Sequence, residues 1–224
     1  MRILTVSDKV EPVLYGPYIR ERVGQVDLIL ACGDLPYYYL EYIVGLLDVP
    51  LYYVHGNHDK VVAPNRHDVP STDATVSWAT NLNGRTVEHR GLLLAGLEGC
   101  RRYSPERPFQ YTEREMRFHT SRLGLKLLPN KLRHGRYLDI LITHAPPRGI
   151  HDDEDIPHQG FESYLNFMRT YRPMLLIHGH QHVYNRNLTM ETVYLGTRVL
   201  NTYGYRVIEL VQNEGRWQLV SSSC

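Results

Sequence analysis

The chain has 224 residues, of which 42% are apolar and 22% charged, enough for one sizeable core. Lysine and arginine number 25 and aspartate and glutamate 24, so the formal charge of +1 provides no global field that would attract nucleic acid or an anionic membrane. No apolar run approaches the ~20 residues of a membrane helix, and polar residues interrupt the first positions before a signal-peptide core forms. Three cysteines without a CxxC pair exclude a disulfide framework. We therefore expect one soluble, cytoplasmic domain over residues 1–224, without a membrane partner.

The first third of the chain alternates short apolar runs with helical patterns. Residues 40–47 place apolar side chains at i, i+3, i+4 and i+7, which predicts a helix, and residues 15–23 predict a shorter one. Strand, helix, strand, helix and strand in this order predict right-handed crossovers and a parallel sheet. The predicted strands are the runs 3–6, 28–32 and 51–54.

The middle of the chain follows a different pattern. Residues 60–80 are polar and predict a loop, whereas residues 85–89 and 91–97 predict a pair of strands. Thr112 and Glu115 have the spacing of a capping box and predict the start of a helix. This stretch therefore adds strands and a helix after the first parallel unit.

The alternation then resumes and completes the predicted fold. Residues 138–142 and 174–177 predict buried strands on either side of a helix around 161–168. The acidic run at 151–155 leads from the first of these strands into that helix and is typical of a solvated loop. Beyond residue 187, several short strands predict an antiparallel closure of the second sheet. The predicted fold class is α/β, with two packed, mainly mixed β-sheets flanked by helices.

Polar side chains follow five of the predicted strands. The carboxyl ends of parallel strands meet at one edge of a sheet, so these residues should converge on one ligand site. Carboxylates, an amide and imidazoles form the mixed oxygen and nitrogen set that suits Mn²⁺, Fe or Zn²⁺. They are numerous enough for two ions, which in such sites lie ~3.5–4 Å apart. The residues are Asp8, Asp34, the segment 56–59, His144, and the pair His180 and His182.

In this order, the motifs resemble those of the calcineurin-like metallophosphoesterase family. That family carries Asp-x-His, Gly-Asp, Gly-Asn-His-Asp/Glu, a later His and then Gly-His-x-His, each after a strand. The resemblance extends over nearly the whole chain and implies the metallophosphoesterase-like α/β sandwich. The matching segments are Asp8, Gly33-Asp34, Gly56-Asn57-His58-Asp59, His144 and Gly179-His180-Gln181-His182.

The resemblance also implies a role for each matching residue. Asp34 would bridge two divalent metal ions, Mn or Fe with Zn as a further possibility. Asn57, His144 and His180 would complete the site of one metal, and Asp8 and His182 would bind the other. His58 would contact the phosphate and act on the leaving oxygen, with Asp59 orienting it.

One position departs from the family pattern, because Val10 replaces the histidine of Asp-x-His. Valine cannot ligate a metal, which leaves three alternatives. Glu11 reaches the metal instead, water fills the coordination position, or the site holds one metal or is catalytically inactive. The neighbouring Lys9 adds a positive charge that would hold a substrate phosphate or repel a second cation.

Three further residues are candidates for substrate binding. Arg102 and Tyr103 follow a predicted strand and suit phosphate contact and stacking, although an ordinary surface loop is an equal alternative. His158 lies at the end of the acidic loop, which would overhang the site.

The predicted function is metal-dependent hydrolysis of a phosphomonoester or phosphodiester by metal-activated water. The alternative is a non-catalytic or single-metal binding scaffold on the same fold.

Overall fold

The computed structural model describes residues 1–60, 78–182 and 190–223. Fourteen strands and five α-helices are assigned in these segments, with one 3₁₀ turn at Ile156–His158. The strands are β1 (Arg2–Ser7), β2 (Leu28–Ala31), β3 (Leu51–Tyr53), β4 (Ala79–Asn81), β5 (Thr86–His89), β6 (Leu92–Leu97), β7 (Cys100–Arg101), β8 (Gln110–Tyr111), β9 (Ile140–Thr143), β10 (Leu175–His178), β11 (Glu191–Tyr194), β12 (Thr197–Asn201), β13 (Gly204–Asn213) and β14 (Arg216–Ser223). The helices are α1 (Ile19–Val23), α2 (Tyr37–Leu47), α3 (Glu113–Lys126), α4 (Leu128–His134) and α5 (Glu162–Tyr171).

Two mixed sheets of six strands each form the centre of the fold. The first sheet has the order β14-β13-β1-β2-β3-β4, and the second has the order β11-β12-β10-β9-β6-β5. Strands β1 to β4 run parallel, as do β6, β9, β10 and β12, whereas β13, β5 and β11 each lie antiparallel to a neighbour. The helices lie outside, so the prediction of two packed mixed sheets flanked by helices is confirmed.

The core forms three layers because successive side chains of a strand point to opposite faces. In β1, Ile3 points into the layer between the two sheets, whereas Leu4 points outward toward α1 and α2. The outer face of the second sheet packs in the same way against α3 and α5. The apolar runs of the sequence are thus strands buried on both faces, as parallel strands require.

Several predicted elements need correction. The helix predicted for 15–23 is confined to Ile19–Val23, because turns that include Pro12 and Pro17 occupy the preceding residues. Ala79–Asn81 forms β4 although 60–80 was predicted as loop, and residues 61–77 lie outside the described residues. The prediction that the last strands together close the second sheet is wrong, since β13 and β14 extend the first sheet beside β1.

The predicted capping box at the start of α3 is confirmed. Glu115 donates its backbone N–H to Thr112 Oγ1, and Thr112 donates its own to Glu115 Oε2 at 2.7 Å. Among the described helices, none has both the length and the apolar character needed to cross a membrane.

Candidate metal centre

Sharp turns at the carboxyl ends of the strands bring the predicted ligands together. Asp8, Asp34 and His180 have φ angles of 63°, 57° and 66°, in the left-handed region that non-glycine residues seldom adopt. Such backbone strain is typical of residues held in place by a functional site. At Gly179 an added Cβ would overlap the Asp8 carboxylate, so only glycine permits this close approach of the two sheets.

Four donor atoms meet at the centre of this edge. His144 Nε2 lies 2.9 Å from Asn57 Oδ1, 3.0 Å from His180 Nδ1 and 3.4 Å from Asp34 Oδ2. The donor atoms of Asp34, His144 and His180 all lie within 4.8 Å of one another. His144 is fully buried, and Asn57 and His180 are each 4% exposed. The structure therefore brings together the residues that the sequence assigned to one metal.

Backbone carbonyls fix the orientation of both imidazoles. His144 donates Nδ1–H to the Cys32 carbonyl at 2.7 Å, and His180 donates Nε2–H to the Pro157 carbonyl at 2.7 Å. Each ring then directs the lone pair of its other nitrogen toward the centre, an arrangement common to metal-ligating histidines. Two imidazole lone pairs, an amide oxygen and a carboxylate thus converge. Only a cation placed among them makes this arrangement favourable.

The charge states of the cluster lead to the same conclusion. Burial disfavours the charged form of His144, but Asp34 and Asp8 outweigh it and raise its pKa to about 9. Burial and the His144 charge lower the pKa of His180 to about 3, so His180 stays neutral. Without a metal, a proton on His144 Nε2 therefore supplies the positive charge that balances Asp34 and Asp8. A divalent metal would displace this proton, since metal ligands must be deprotonated. The donor set therefore fits a metal ion.

Asp8 and His182 lie close to each other beside this cluster. The Asp8 carboxylate accepts the backbone N–H of His180 at 2.9 and 3.0 Å, and His182 Nε2 lies 3.9 Å from Asp8 Oδ1. Burial, reinforced by the negative charge of Asp34, raises the pKa of Asp8 to about 6 although His144 opposes this. A buried carboxylate with a raised pKa gains from a nearby cation, so Asp8 and His182 offer donors for a second metal.

Val10 and its neighbour Glu11, which stand at the position of the family histidine, both contact other side chains of the protein. Val10 is partly buried and packs against the apolar cluster between the first sheet and α2. Glu11 Oε1 lies 2.8 Å from Lys9 Nζ, so the carboxylate that would replace the histidine forms an ion pair. The role of Glu11 as a ligand stays a prediction. The second site therefore has fewer protein donors than the first.

The two residues predicted to be catalytic have different environments. His58 is exposed, and its backbone N–H donates to Asp34 Oδ1 at 2.7 Å, which places it beside the proposed bridging carboxylate. Asp59 Oδ2 accepts backbone N–H groups from Gly56 at 2.7 Å and Asp34 at 3.1 Å. Asp59 thus holds the loop of Gly56 to the loop of Asp34, and its predicted action on the His58 ring stays a prediction.

The candidate substrate residues lie at unequal distances from the cluster. Tyr103 OH accepts a hydrogen bond from Asn57 Nδ2 at 3.1 Å, and the His158 ring lies 5.1 Å from the His180 ring. Arg102 donates to Glu115 Oε1 and to the Gln110 carbonyl, which directs it toward α3. Tyr103 and His158 therefore border the candidate centre, while Arg102 is held by other partners.

Sequence reasoning missed the groups that support the ligands. The carbonyls of Cys32 and Pro157 orient the two histidines, and no side-chain pattern reports a backbone carbonyl. The interpretation of the acidic run as solvated is wrong for Asp152, whose side chain is 8% exposed. Asp152 accepts hydrogen bonds from the backbone of Gly149 and Gly160 and thereby shapes the loop that carries Pro157.

The fold and the donor set define an α/β protein with a candidate metal centre at the edge of two packed sheets. The model of the calcineurin-like phosphoesterase family matches residues 8–184, well over half of the sequence. The chain therefore belongs to the calcineurin-like phosphoesterase family.

Solved structures with the same fold are distant in sequence. One is TT1561 of Thermus thermophilus, 15% identical with a TM-score of 0.60, covering 98% of this chain and 97% of that chain. Another is GAP50, the anchor in the inner membrane complex of Plasmodium, 13% identical with a TM-score of 0.54, covering 93% and 80%. A search of curated proteins found no significant match. The structural similarity shows a shared fold alone.

Proposed function

We propose that this protein is a metal-dependent phosphoesterase that uses water to hydrolyse a phosphomonoester or phosphodiester at a two-metal site. The observation that carries the proposal is the convergence of four acceptors on one point. His144 Nε2 and His180 Nδ1 lie 3.0 Å apart, with both outer nitrogens committed to backbone carbonyls. Membership of the calcineurin-like phosphoesterase family supports the reaction class.

The chain offers two unequal sets of metal ligands. Asp34, Asn57, His144 and His180 would hold one metal, and Asp8 and His182 would hold a second that shares Asp34. Divalent metals at these positions would supply Lewis acidity and activate water near neutral pH. The mixed carboxylate, amide and imidazole set suits Mn or Fe, with Zn as a further option. Because Val10 provides no donor, we expect the second metal to exchange more readily.

The residues around the centre divide the remaining tasks. His58 is exposed beside Asp34, where its imidazole would donate a proton to the leaving oxygen of the ester. Asp59 holds the turn that carries His58 against the Asp34 loop. Tyr103 and His158 border the centre and would contact the substrate. Arg102 would join them only after release from Glu115.

The setting we propose is the cytoplasm, with a phosphate ester as the substrate. Cys32 and Cys100 are free thiols in the described residues, and both are fully buried. Reduced thiols are typical of the cytosol. The formal charge of +1 gives no global attraction to nucleic acid, so a small or loop-presented ester suits the site better than a duplex.

A turnover assay tests this proposal. The purified chain is incubated with Mn²⁺ and a generic aryl phosphodiester or aryl phosphomonoester, and release of the aryl alcohol is followed. We expect metal-dependent turnover that Asp34→Asn abolishes and that His58→Ala lowers by about 100-fold, the range of general acid catalysis. Arg114→Ser, an exposed change on α3, is the matched control. Absence of turnover with Mn²⁺, Fe²⁺ and Zn²⁺ would refute the enzyme proposal.

One observation favours the alternative of a single-metal binding scaffold. Val10 packs into the apolar cluster, and Glu11 forms an ion pair with Lys9, so the second site has fewer ligands. A scaffold of this kind would bind one metal per chain and show no turnover at saturating metal. The intact set of Asn57, His58, His144, His180 and His182 favours the enzyme.

A further inference from the structure

A second cleft lies at the end of the sheets opposite the candidate metal centre. Its lining includes the residues that precede β9 and β10 and the turn between β11 and β12, together with the start of β14. The cleft has a volume of about 550 Å³, within the range of ~300–1,000 Å³ that is usual for small-molecule sites. Leu138 and His144 lie at opposite ends of β9, six residues apart, which corresponds to roughly 20 Å along the strand. The cleft is therefore distinct from the metal centre.

The lining of this cleft is strongly basic. Four cationic side chains contribute to it, and the one acidic residue, Asp139, is paired with Arg136 at 2.7 Å. Arg172 and Arg216 are exposed, and within residues 1–60, 78–182 and 190–223 neither guanidinium has an ion pair. The fourth cation, Lys131, lies 5.5 Å from the centre of the Tyr137 ring. The cleft thus carries positive charge that the described carboxylates leave unbalanced.

Three aromatic side chains form relatively fixed walls around this charge. The rings of Tyr137 and Tyr171 meet edge to face, with centroids 5.1 Å apart. Trp217 donates its indole N–H to the Gly91 carbonyl at 3.1 Å, and Arg136 donates to the same carbonyl at 2.9 Å. One backbone oxygen therefore holds an aromatic wall and a cationic wall in place. Flat rings stack on such aromatic and guanidinium surfaces.

We propose that this cleft binds a small anion that carries a planar ring, the chemistry of a nucleotide. Arg172 and Arg216 would bind the anionic group, because a guanidinium pairs with phosphate oxygens through two parallel hydrogen bonds. Tyr171 and Trp217 would contact the ring. No charged group of the metal centre takes part, so binding here does not depend on hydrolysis.

AMP is the probe, and its binding to the full chain is measured by titration calorimetry in the presence of EDTA. The chelator separates this cleft from the metal centre, which would also accept a phosphate ester. We expect saturable binding at one site, with adenosine and inorganic phosphate each binding at least about tenfold more weakly, since each offers half of the recognised chemistry. The affinity should fall as salt rises, because the contacts are between exposed charges.

Matched variants place the binding in the cleft. Arg172→Ser with Arg216→Ser should weaken AMP binding at least about tenfold. The control, Arg107→Ser with Arg114→Ser, removes the same charge from exposed positions outside the cleft and should bind like the wild type. Asp34→Asn should also bind AMP normally. The proposal is wrong if AMP does not saturate the wild type, if the cleft variant binds as tightly, or if Asp34→Asn abolishes binding. Circular dichroism checks that each variant is folded.

Discussion

Backbone atoms set the orientation of the His144 and His180 imidazoles. Each ring is anchored through one nitrogen to a backbone carbonyl, of Cys32 and of Pro157 respectively. This anchoring selects the tautomer that turns the other nitrogen inward. The cost of bringing acceptors together is offset only when a cation lies among them. At the residue scale, the folded protein already holds the donor atoms of the candidate metal centre in place.

A substitution at Glu11 tests what occupies the place of the missing histidine. The Glu11 carboxylate lies 2.8 Å from Lys9 Nζ in a partly exposed ion pair. Because Glu11 is the predicted replacement for the histidine, we expect Glu11→Gln to lower the content of the more weakly bound metal selectively, and to alter stability by less than about 1 kcal/mol, as is usual for exposed pairs. Metal content is measured by mass spectrometry of the dialysed protein. Equal metal content in the variant and the wild type would exclude Glu11 as a ligand.

His151 makes the stability of the protein depend on pH. Its two nitrogens lie 3.0 Å from His178 Nε2 and 2.9 Å from Thr192 Oγ1. Burial, with the charge of Arg206, lowers the pKa of His151 from 6.5 to about 4. Because the unfolded chain binds this proton more readily, stability is retained above pH 6.5 and is lost as the pH falls toward 4.

Urea unfolding at pH 7 and pH 5, with chelator present, measures this effect. The wild type should lose about 2 kcal/mol more between the two pH values than His151→Gln, which keeps a polar side chain but has no titrating group. The comparison between the two proteins removes the contributions of other titrating groups. Equal losses in both proteins would show that His151 titrates alike in the folded and unfolded states.

At the scale of elements, replacing either of two glycines by alanine should change the stability of the protein in opposite directions. Gly96 in β6 is buried between the sheets, and a Cβ there would lie 2.7 Å from Val54 Cγ1 and 2.8 Å from Leu82 Cβ. Gly96→Ala should therefore lower the free energy of unfolding by about 1–3 kcal/mol through overpacking. Gly45 lies in α2 with open space around it, and alanine has the higher helix propensity. Gly45→Ala should therefore raise the free energy of unfolding by about 0.5–1 kcal/mol. Chemical denaturation measures both, and an equal effect of the two would contradict this packing.

The elements differ in how far the sequence predicted them. The capping box of Thr112 and Glu115 is local, so its spacing predicted the start of α3 correctly. The partners of β13 and β14 depend on contacts with β1, some 200 residues earlier in the sequence, and local patterns do not report such pairing. The helix around 15–23 was overextended because apolar spacing outweighed the effect of Pro12 and Pro17 in that prediction.

At the scale of the whole molecule, the parallel strands of both sheets end at one edge and bring Asp8 close to His182. The sequence predicted this convergence because parallel strands share the direction in which they end. The sequence did not predict the orientation of the candidate ligands. Backbone carbonyls orient the two histidines, and the buried Asp152 binds the backbone of the loop that carries one of these carbonyls, so both effects exist only in the folded chain. The basic cleft at the opposite edge was missed for a similar reason, because its lining residues are scattered along the chain.

The central claim is that Asp34, Asn57, His144 and His180 form a cation site, and metal content tests it most directly. The full chain is purified without chelator, dialysed against limiting Mn²⁺, and analysed by mass spectrometry. We expect at least one tightly held metal per chain, and His180→Gln should weaken it by more than about 100-fold, beyond the effect of losing a supporting residue. Arg114→Ser should retain it. A wild type that holds no metal when offered Mn²⁺, Fe²⁺ or Zn²⁺, or a His180→Gln variant that holds as much as the wild type, would contradict the claim.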